Sequence, residues 1–581
     1  MAEVRIDTER VDDVPLLIRQ QQAMGIPQVL DTVVTPHGNR QGLSVGWLTA
    51  SWLAFILSEA DHRMCEVEPW AAERQEALSA LLPQLMREQD FSDDRLADIL
   101  RYLSDDDAWE EVETRLGQRL IRVYSLEPDL VRLDSTTAAV YHDPERGTLF
   151  RHGHSKDHRP DLAQFKVMLG ALDPMGMPLA TLVLPGNRDD DGLYVPTIKR
   201  ARPVVGQGKR LYIGDSKMAA LNTRAFLQYG EDYYLVPLPM TGEVPELLAT
   251  LLEPVWSKHQ SLELISVPKD ESDEQAETEQ KRLLGLGYET TRSQEAEVDG
   301  QPVVWEERLL VVYSPAHARQ ARRGLAQRLE RAEQALQALT PPRARGRRQW
   351  DDVEVLQVQA RAILKRRRVE GLLEVSYIQE VQRRPVRKYR DRPARTEEQV
   401  RYVVQVKRNT AAIKAARRLL GWRLYATTAP QEKMPLSEAV QVYRGAPRID
   451  RDFRRLKGRP LGIRPLYVQR DDHARGMVRL LSLALRVLTL VEHEVREQLQ
   501  AARETLKGLY AGNPQRETAR PTTERLLKAF KGITLTVVRL PEQTIRHITP
   551  LSGLQKRILA LAGLSPAIYQ APVAHADSIP P

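Results

Sequence analysis

Cysteine is almost missing from this chain. Cys65 is the only one, which excludes an internal disulfide and a multi-cysteine zinc site, and a reducing compartment calls for neither. Long apolar runs are missing as well. The most apolar stretch, residues 43–57 (LSVGWLTASWLAFIL), is interrupted by Ser44, Thr49 and Ser51 and falls short of the roughly 20 residues that span a bilayer. It reads as a buried helix, and no membrane association is expected. The opening MAEVRIDTERVDDVP is acidic where a signal peptide has a basic end and then an apolar segment. The expected location is the cytoplasm. A phosphate-binding loop of the Walker type is lacking too, because Gly206 and Gly208 (GQG) precede a strand instead of opening a helix. No ATP is implied.

What is present is an ordinary globular balance, 42% hydrophobic and 28% charged residues, which excludes a wholly disordered chain. A length of 581 residues corresponds to roughly three or four domains. The net charge of +7 hides an asymmetry. Residues 1–120 hold 11 Arg, no Lys and 23 Asp or Glu, a net of −12. Residues 316–430 hold 28 Lys or Arg against 11 acids, a net of +17, and residues 431–479 hold 12 against 6, a net of +6. Clusters such as RARGRR (343–348), KRRR (365–368) and RRPVRKYRDR (383–392) are the electrostatic footprint of a protein that binds a phosphate backbone. A solvated basic surface is the plainer alternative.

Periodicity predicts an all-α region over 1–125, with helices in 14–24, 43–57, 70–86 and 96–103. From Leu126 the period changes. Residues 130–141 (LVRLDSTTAAVY), 165–172, 178–184 and 210–214 read as short buried strands, with a helix at 194–202 before the fourth, another at 217–229 and a strand at 232–236. This is the opening of an α/β sheet of the ribonuclease-H kind, over 126–240. Residues 241–430 read as an inserted basic α+β domain, with strands at 303–313, 372–378, 402–407 and 422–427, helices at 318–339 and 353–368, and an acidic linker at 269–280. The core would resume over 431–500, including a long helix at 477–499, and 501–581 would form C-terminal helices and a frayed tail.

Asp134 (VRLDSTT) and Asp215 (YIGDSKM) each follow an apolar run. A strand that buries its body and ends in a carboxylate holds that oxygen at the sheet edge, where Mg²⁺ can be bound by one or two carboxylates plus substrate phosphates. A third acid on a helix packed across that edge would complete a two-metal phosphoryl-transfer site, and Asp450 is the candidate. Its helix is expected to start at Pro447, a favoured first position, and to stop at Gly458. Phe453 and Leu456 would face the core, with Arg451, Arg454, Arg455 and Lys457 on the polar side. Taken singly, Asp followed by Ser is equally a turn or helix-cap pair. His152, His154 and His158 suggest zinc only weakly, since structural zinc takes four ligands, often Cys. Lys156, His158 and Arg159 instead read either as a loop packing against phosphates or as a purely structural loop.

At these residues the chain resembles the DDE transposases of bacterial insertion sequences, in the cut-and-paste group with the Tyr-x2-Arg-x3-Glu-x6-Lys signature. The resemblance rests on LDSTT, GHSKDHRPDLAQF (153–165), Gly186, Asn187 and Asp190, YIGDSKMAALNTRAFLQYG, and VYRGAPRIDRDFRRLKG, in which Tyr443, Asp450 and Lys457 stand in register. The family's Glu is here Asp450 and its Arg is Ala446, with Arg444 or Arg448 as substitutes. The resemblance implies a ribonuclease-H-like core with an inserted domain, Asp134, Asp215 and Asp450 on two Mg²⁺ ions (Mn²⁺ able to substitute), and cleavage and strand transfer at transposon ends. It further implies double-stranded DNA as partner (terminal inverted repeats and target), DNA contacts from Tyr443, Lys457, Arg454, Arg448, Lys156 and Arg159, end recognition by residues 1–125, a homodimer on paired ends and a nucleoid-associated location. The competing expectation is a noncatalytic DNA-binding derivative, marked by Asp450 and Ala446.

Overall fold

A computed structural model describes residues 4–574 apart from 37, 39, 40, 85, 146, 268–281, 343–349, 387–394 and 446. Its strands are β1 (Arg5–Arg10), β2 (Leu130–Val140), β3 (Ala163–Leu172), β4 (Met177–Pro185), β5 (Leu211–Ile213), β6 (Tyr233–Pro237), β7 (Glu263–Val267), β8 (Arg282–Val298), β9 (Gln301–Tyr313), β10 (Leu373–Val386), β11 (Arg395–Arg408), β12 (Trp422–Thr427), β13 (Thr534–Arg539) and β14 (Thr544–Ile548). All ten residues of β3 are buried, because both faces of the sheet are covered; the segment is therefore mostly apolar, and its two buried polar side chains are partnered, Gln164 with the carbonyl of Gly186 and Lys166 with Asp190. The architecture is mixed α/β.

The main sheet has nine strands in the order β4-β3-β2-β5-β6-β12-β9-β8-β7. β2 runs antiparallel to β3 and parallel to β5, and β5 is parallel to β6. The helix Tyr194–Val205 connects β4 to β5, and the helix Leu221–Tyr229 connects β5 to β6. The latter begins four residues later than its apolar pattern suggests, because Lys217 belongs to the turn that the Asp215 carboxylate caps.

Residues 241–430 do not form one separate insertion. β9 and β12 pair with each other, and β12 pairs with β6, so much of the segment extends the core sheet. β8 (17 residues) and its short partner β7 add two strands that the pattern beside the acidic linker does not announce, and the linker itself lies outside the described residues. What stands apart is a smaller module: helices Pro315–Gln337, Val353–Arg367 and Thr410–Leu419 around the two-stranded ribbon β10-β11. It has its own apolar core, including Leu325, Leu329, Leu336, Leu356 and Val404.

The terminal regions also differ from the all-helical expectation. β1 pairs with β13 and β13 with β14, so the two ends of the chain share a small sheet. A six-residue strand whose partner lies more than 500 residues away leaves no periodic signal of its own. The helix expected over 70–86 is two helices, Val67–Ala72 and Gln75–Leu81.

The helix Asp471–Ala502 ties these parts together. Every side chain from Met477 to Glu492 is buried, so this helix is surrounded by protein on all sides. Its buried polar groups are paired: Arg486 donates to Glu113 (2.9 Å) and to the carbonyl of Pro178, and Ser482 meets Thr181 (2.7 Å). N-terminal helices and sheet therefore share one continuous core. Among the described residues no helix is long and apolar enough to cross a membrane.

Candidate active site

β5 is only three residues long and pairs with Leu130–Arg132 of β2. Beyond Arg132, β2 pairs only with β3, so its other edge is open from Leu133 onward. Asp134 stands at that opening, mid-strand instead of at the strand end. Gly214 and Asp215 leave β5 beside it. A side chain at 214 would have its Cβ 2.5 Å from Met218 Sδ and 3.1 Å from the Tyr194 ring, so the approach to Asp215 requires glycine. The Asp215 carboxylate is fixed through a single oxygen: Oδ1 accepts from the Tyr194 hydroxyl (2.6 Å) and from the amide of Lys217 (2.8 Å). Asp134 Oδ1 accepts from the amide of Ser135 (2.7 Å).

Asp450 arrives from the helix Pro447–Lys457, which starts and stops where proline and Gly458 dictate. Ile449, Phe453 and Leu456 are buried, while Asp450 is exposed. Electrostatics links the three acids. Burial pushes the Asp134 carboxyl up to about 6; the Lys156 ammonium and the Ser135 amide oppose this, and the charges of Asp215 and Asp450 add to it. Asp134 is thus a mostly buried carboxylate that senses two others, and hard oxygen donors of this kind suit Mg²⁺ or Mn²⁺. As they stand, no three carboxylate, His or Cys side chains among the described residues are close enough to hold an ion.

A loop covers the open edge of β2. The amide of Lys156 donates to Thr137 Oγ1 (3.0 Å), and the amide of Ala139 donates to Asp157 (3.4 Å). Lys156 turns inward: its ammonium donates to the carbonyl and hydroxyl of Ser135 (both 2.8 Å) and lies 3.5 Å from Asp190, which also takes Lys166 (2.5 Å). Lys457 pairs with Asp157 (2.8 Å), which is shared with Arg464 (2.9 Å). Burial, with Arg464 and Lys156 nearby, holds the Lys457 ammonium below its ordinary value against the pull of Asp157. Arg159 is exposed and pairs with Asp161 (2.6 Å). His152, His154 and His158 are exposed, and no zinc cluster forms among the described residues.

Tyr443, on the helix Leu436–Arg444, meets Tyr425 edge to face with centroids 4.9 Å apart. Burial pushes its phenol up to about 12, and Asp215 is among the charges it senses. Arg454 is exposed; the side chain of Arg448 and the whole of Ala446 lie outside the described residues.

One expectation on the Asp450 helix fails. Arg455 is buried and not on the polar side: it donates to Glu492 (2.5 Å) and Glu524 (2.7 Å), and Arg451 shares Glu492 (2.6 Å). Asp452 is fully buried as well, neither of its oxygens has a hydrogen-bond partner, and burial pushes its carboxyl up to about 8. It packs against the β3–β4 turn, where Gly176 has φ +82° and a Cβ would lie 2.3 Å from Asp452 Oδ2. The structure also brings in a residue that sequence reasoning misses, Tyr194. Its contact with Asp215 spans 21 positions and depends on the helix Tyr194–Val205 packing against the sheet, so nothing local announces it.

The chain matches no family model and no curated protein.

Proposed function

We propose that this chain is a DDE-type transposase with a ribonuclease-H-like core, cleaving DNA at transposon ends and joining them to a target. The observation that carries the reading is the place of Asp134 and Asp215 where β2 and β5 part, with the Asp450 helix packed against β2; the charges of Asp215 and Asp450, which help raise the Asp134 carboxyl, agree with it. The strand order β4-β3-β2-β5-β6, with β2 antiparallel to β3 and parallel to β5, supports the core assignment.

Asp134, Asp215 and Asp450 would hold two Mg²⁺ ions, which when bound lower the pKa of an attacking water or 3′-hydroxyl and stabilise the leaving oxygen. The chain's own groups prepare the rest. Three carboxylates at one sheet edge concentrate negative charge that repels DNA until a cation neutralises it. Lys156, Lys457 and Arg464 flank them and draw the phosphodiester to that edge. Exposed Arg159 and Arg454 and the exposed arginines of the basic module would bind the backbone of double-stranded DNA at a distance from the chemistry. On this reading a homodimer pairs the two ends at the nucleoid.

Incubation with terminal-inverted-repeat DNA and Mg²⁺ or Mn²⁺ tests the reading. Cleavage at the ends that vanishes in Asp134→Ala and in Asp215→Ala is the expected result. Tight DNA binding without cleavage would instead identify a noncatalytic derivative.

A further inference from the structure

Asp215 is held by one oxygen only. Its Oδ1 takes two donors, the hydroxyl of Tyr194 at 2.6 Å and the backbone amide of Lys217 at 2.8 Å. Tyr194 is 1% exposed and is the first residue of the helix Tyr194–Val205, whose Ile198, Ala201 and Val205 belong to the main core. The ring is therefore anchored by packing, and the hydroxyl has a fixed address. The amide of Lys217 is fixed in its place by the turn that follows β5, in which the amide of Met218 donates to the carbonyl of Asp215. Two rigid donors on one oxygen set the carboxylate plane and direct Oδ2 away from both.

We infer that Tyr194 is a positioning residue for Asp215: its hydroxyl holds Oδ1 so that Oδ2 alone is presented to a divalent cation. The inference rests on the metal-site reading given above and adds to it a residue outside the three carboxylates. A phenol is suited to this task. It donates one hydrogen bond to an ionised carboxylate, brings no positive charge that would compete with a cation, and shields the bonded oxygen from water. A lysine in the same place would cancel the charge that the site needs.

The experiment is Mn²⁺ binding by the full chain, measured by calorimetry and by the paramagnetic signal of the free ion, for the native protein, Tyr194→Phe, Asp215→Asn and the double variant. Phenylalanine keeps the ring and its packing, and a melting curve in EDTA reads whether the fold is kept. Loss of a group that orients a ligating carboxylate costs about tenfold or more in metal affinity, so Tyr194→Phe should weaken Mn²⁺ by about that factor at unchanged DNA affinity in EDTA. Asp215→Asn should weaken it further, and adding Tyr194→Phe to Asp215→Asn should change nothing more. Native-like Mn²⁺ affinity in Tyr194→Phe, with Asp215→Asn defective, would overturn the role of Tyr194 and leave the metal reading intact. Absence of Mn²⁺ binding by the native chain would overturn that reading and the inference with it. Should Tyr194→Phe fail to fold, 3-fluorotyrosine at position 194, a stronger donor of the same shape, should tighten Mn²⁺ binding, and unchanged affinity would overturn the inference.

Discussion

Without a bound cation, Asp134 should cost this protein stability. Burial, together with the charges of Asp215 and Asp450, raises its carboxyl from the ordinary 3.8 to about 6 despite Lys156 and the Ser135 amide. A carboxyl whose folded pKa lies above its unfolded value holds a proton in the folded state that the unfolded chain has already released. Stability therefore falls as pH rises from about 4 to about 6, and the whole penalty is present above that window. A shift of about two pKa units corresponds to about 3 kcal/mol, and because the residue is mostly but not wholly buried the expectation is about 2–3 kcal/mol. Asp134→Asn removes the charge and keeps an oxygen for the Ser135 amide. In EDTA at pH 8 the variant should be the more stable by that amount, and near pH 4 the two proteins should be equal. Mg²⁺ at about 1,000 times its Kd should invert the order, since it adds about 4.1 kcal/mol to the form that binds it. The assay is urea unfolding combined with hydrogen exchange over residues 130–140, because a chain of this size need not unfold in one step. A variant less stable than the native protein at pH 8 in EDTA, or a difference independent of pH, would refute the reasoning.

Three further outcomes are expected. In a cleavage assay, Asp450→Asn should abolish Mg²⁺-dependent activity, whereas Asp450→Glu should match or exceed the native rate and Asp452→Asn should remain active. Asp452→Asn should instead act on the fold: with its carboxyl pushed up to about 8, the native protein loses stability as pH climbs from about 4 to about 8, and the variant should be free of that loss; denaturation midpoints at pH 6 and pH 9 check it. On the basic module, simultaneous Arg319→Ala, Arg322→Ala and Arg323→Ala, all exposed, should reduce the salt dependence of DNA affinity by about 0.9 for each phosphate that is no longer neutralised, about 3 in the slope for all of them together. An unchanged slope in a binding titration across salt concentrations would show that this helix does not meet DNA.

Elements whose chemistry is local are legible in the amino-acid order. β2 to β6 and the long helix can be read because a strand or helix buried on all sides is predominantly apolar, as in β3 and in residues 477–491, where the few polar side chains, such as Lys166 and Arg486, are there only because a partner meets them. Pro447 and Gly458 bound the Asp450 helix because proline and glycine act on their own backbone. Asp134 and Asp215 stand out because a carboxylate that follows an apolar run conflicts with its surroundings unless something uses it. The remainder is a product of tertiary packing. β1 pairs with β13 across almost the whole chain, and β9 and β12 join the core sheet: strand partners are chosen by the closure of the fold, which no short window records. On one short helix, Asp450 is exposed and Asp452 fully buried, a difference set by what packs against each face. The hydroxyl of Tyr194 reaches Asp215 for the same reason: helix and strand are brought together by their shared core, and the hydrogen bond follows from that packing.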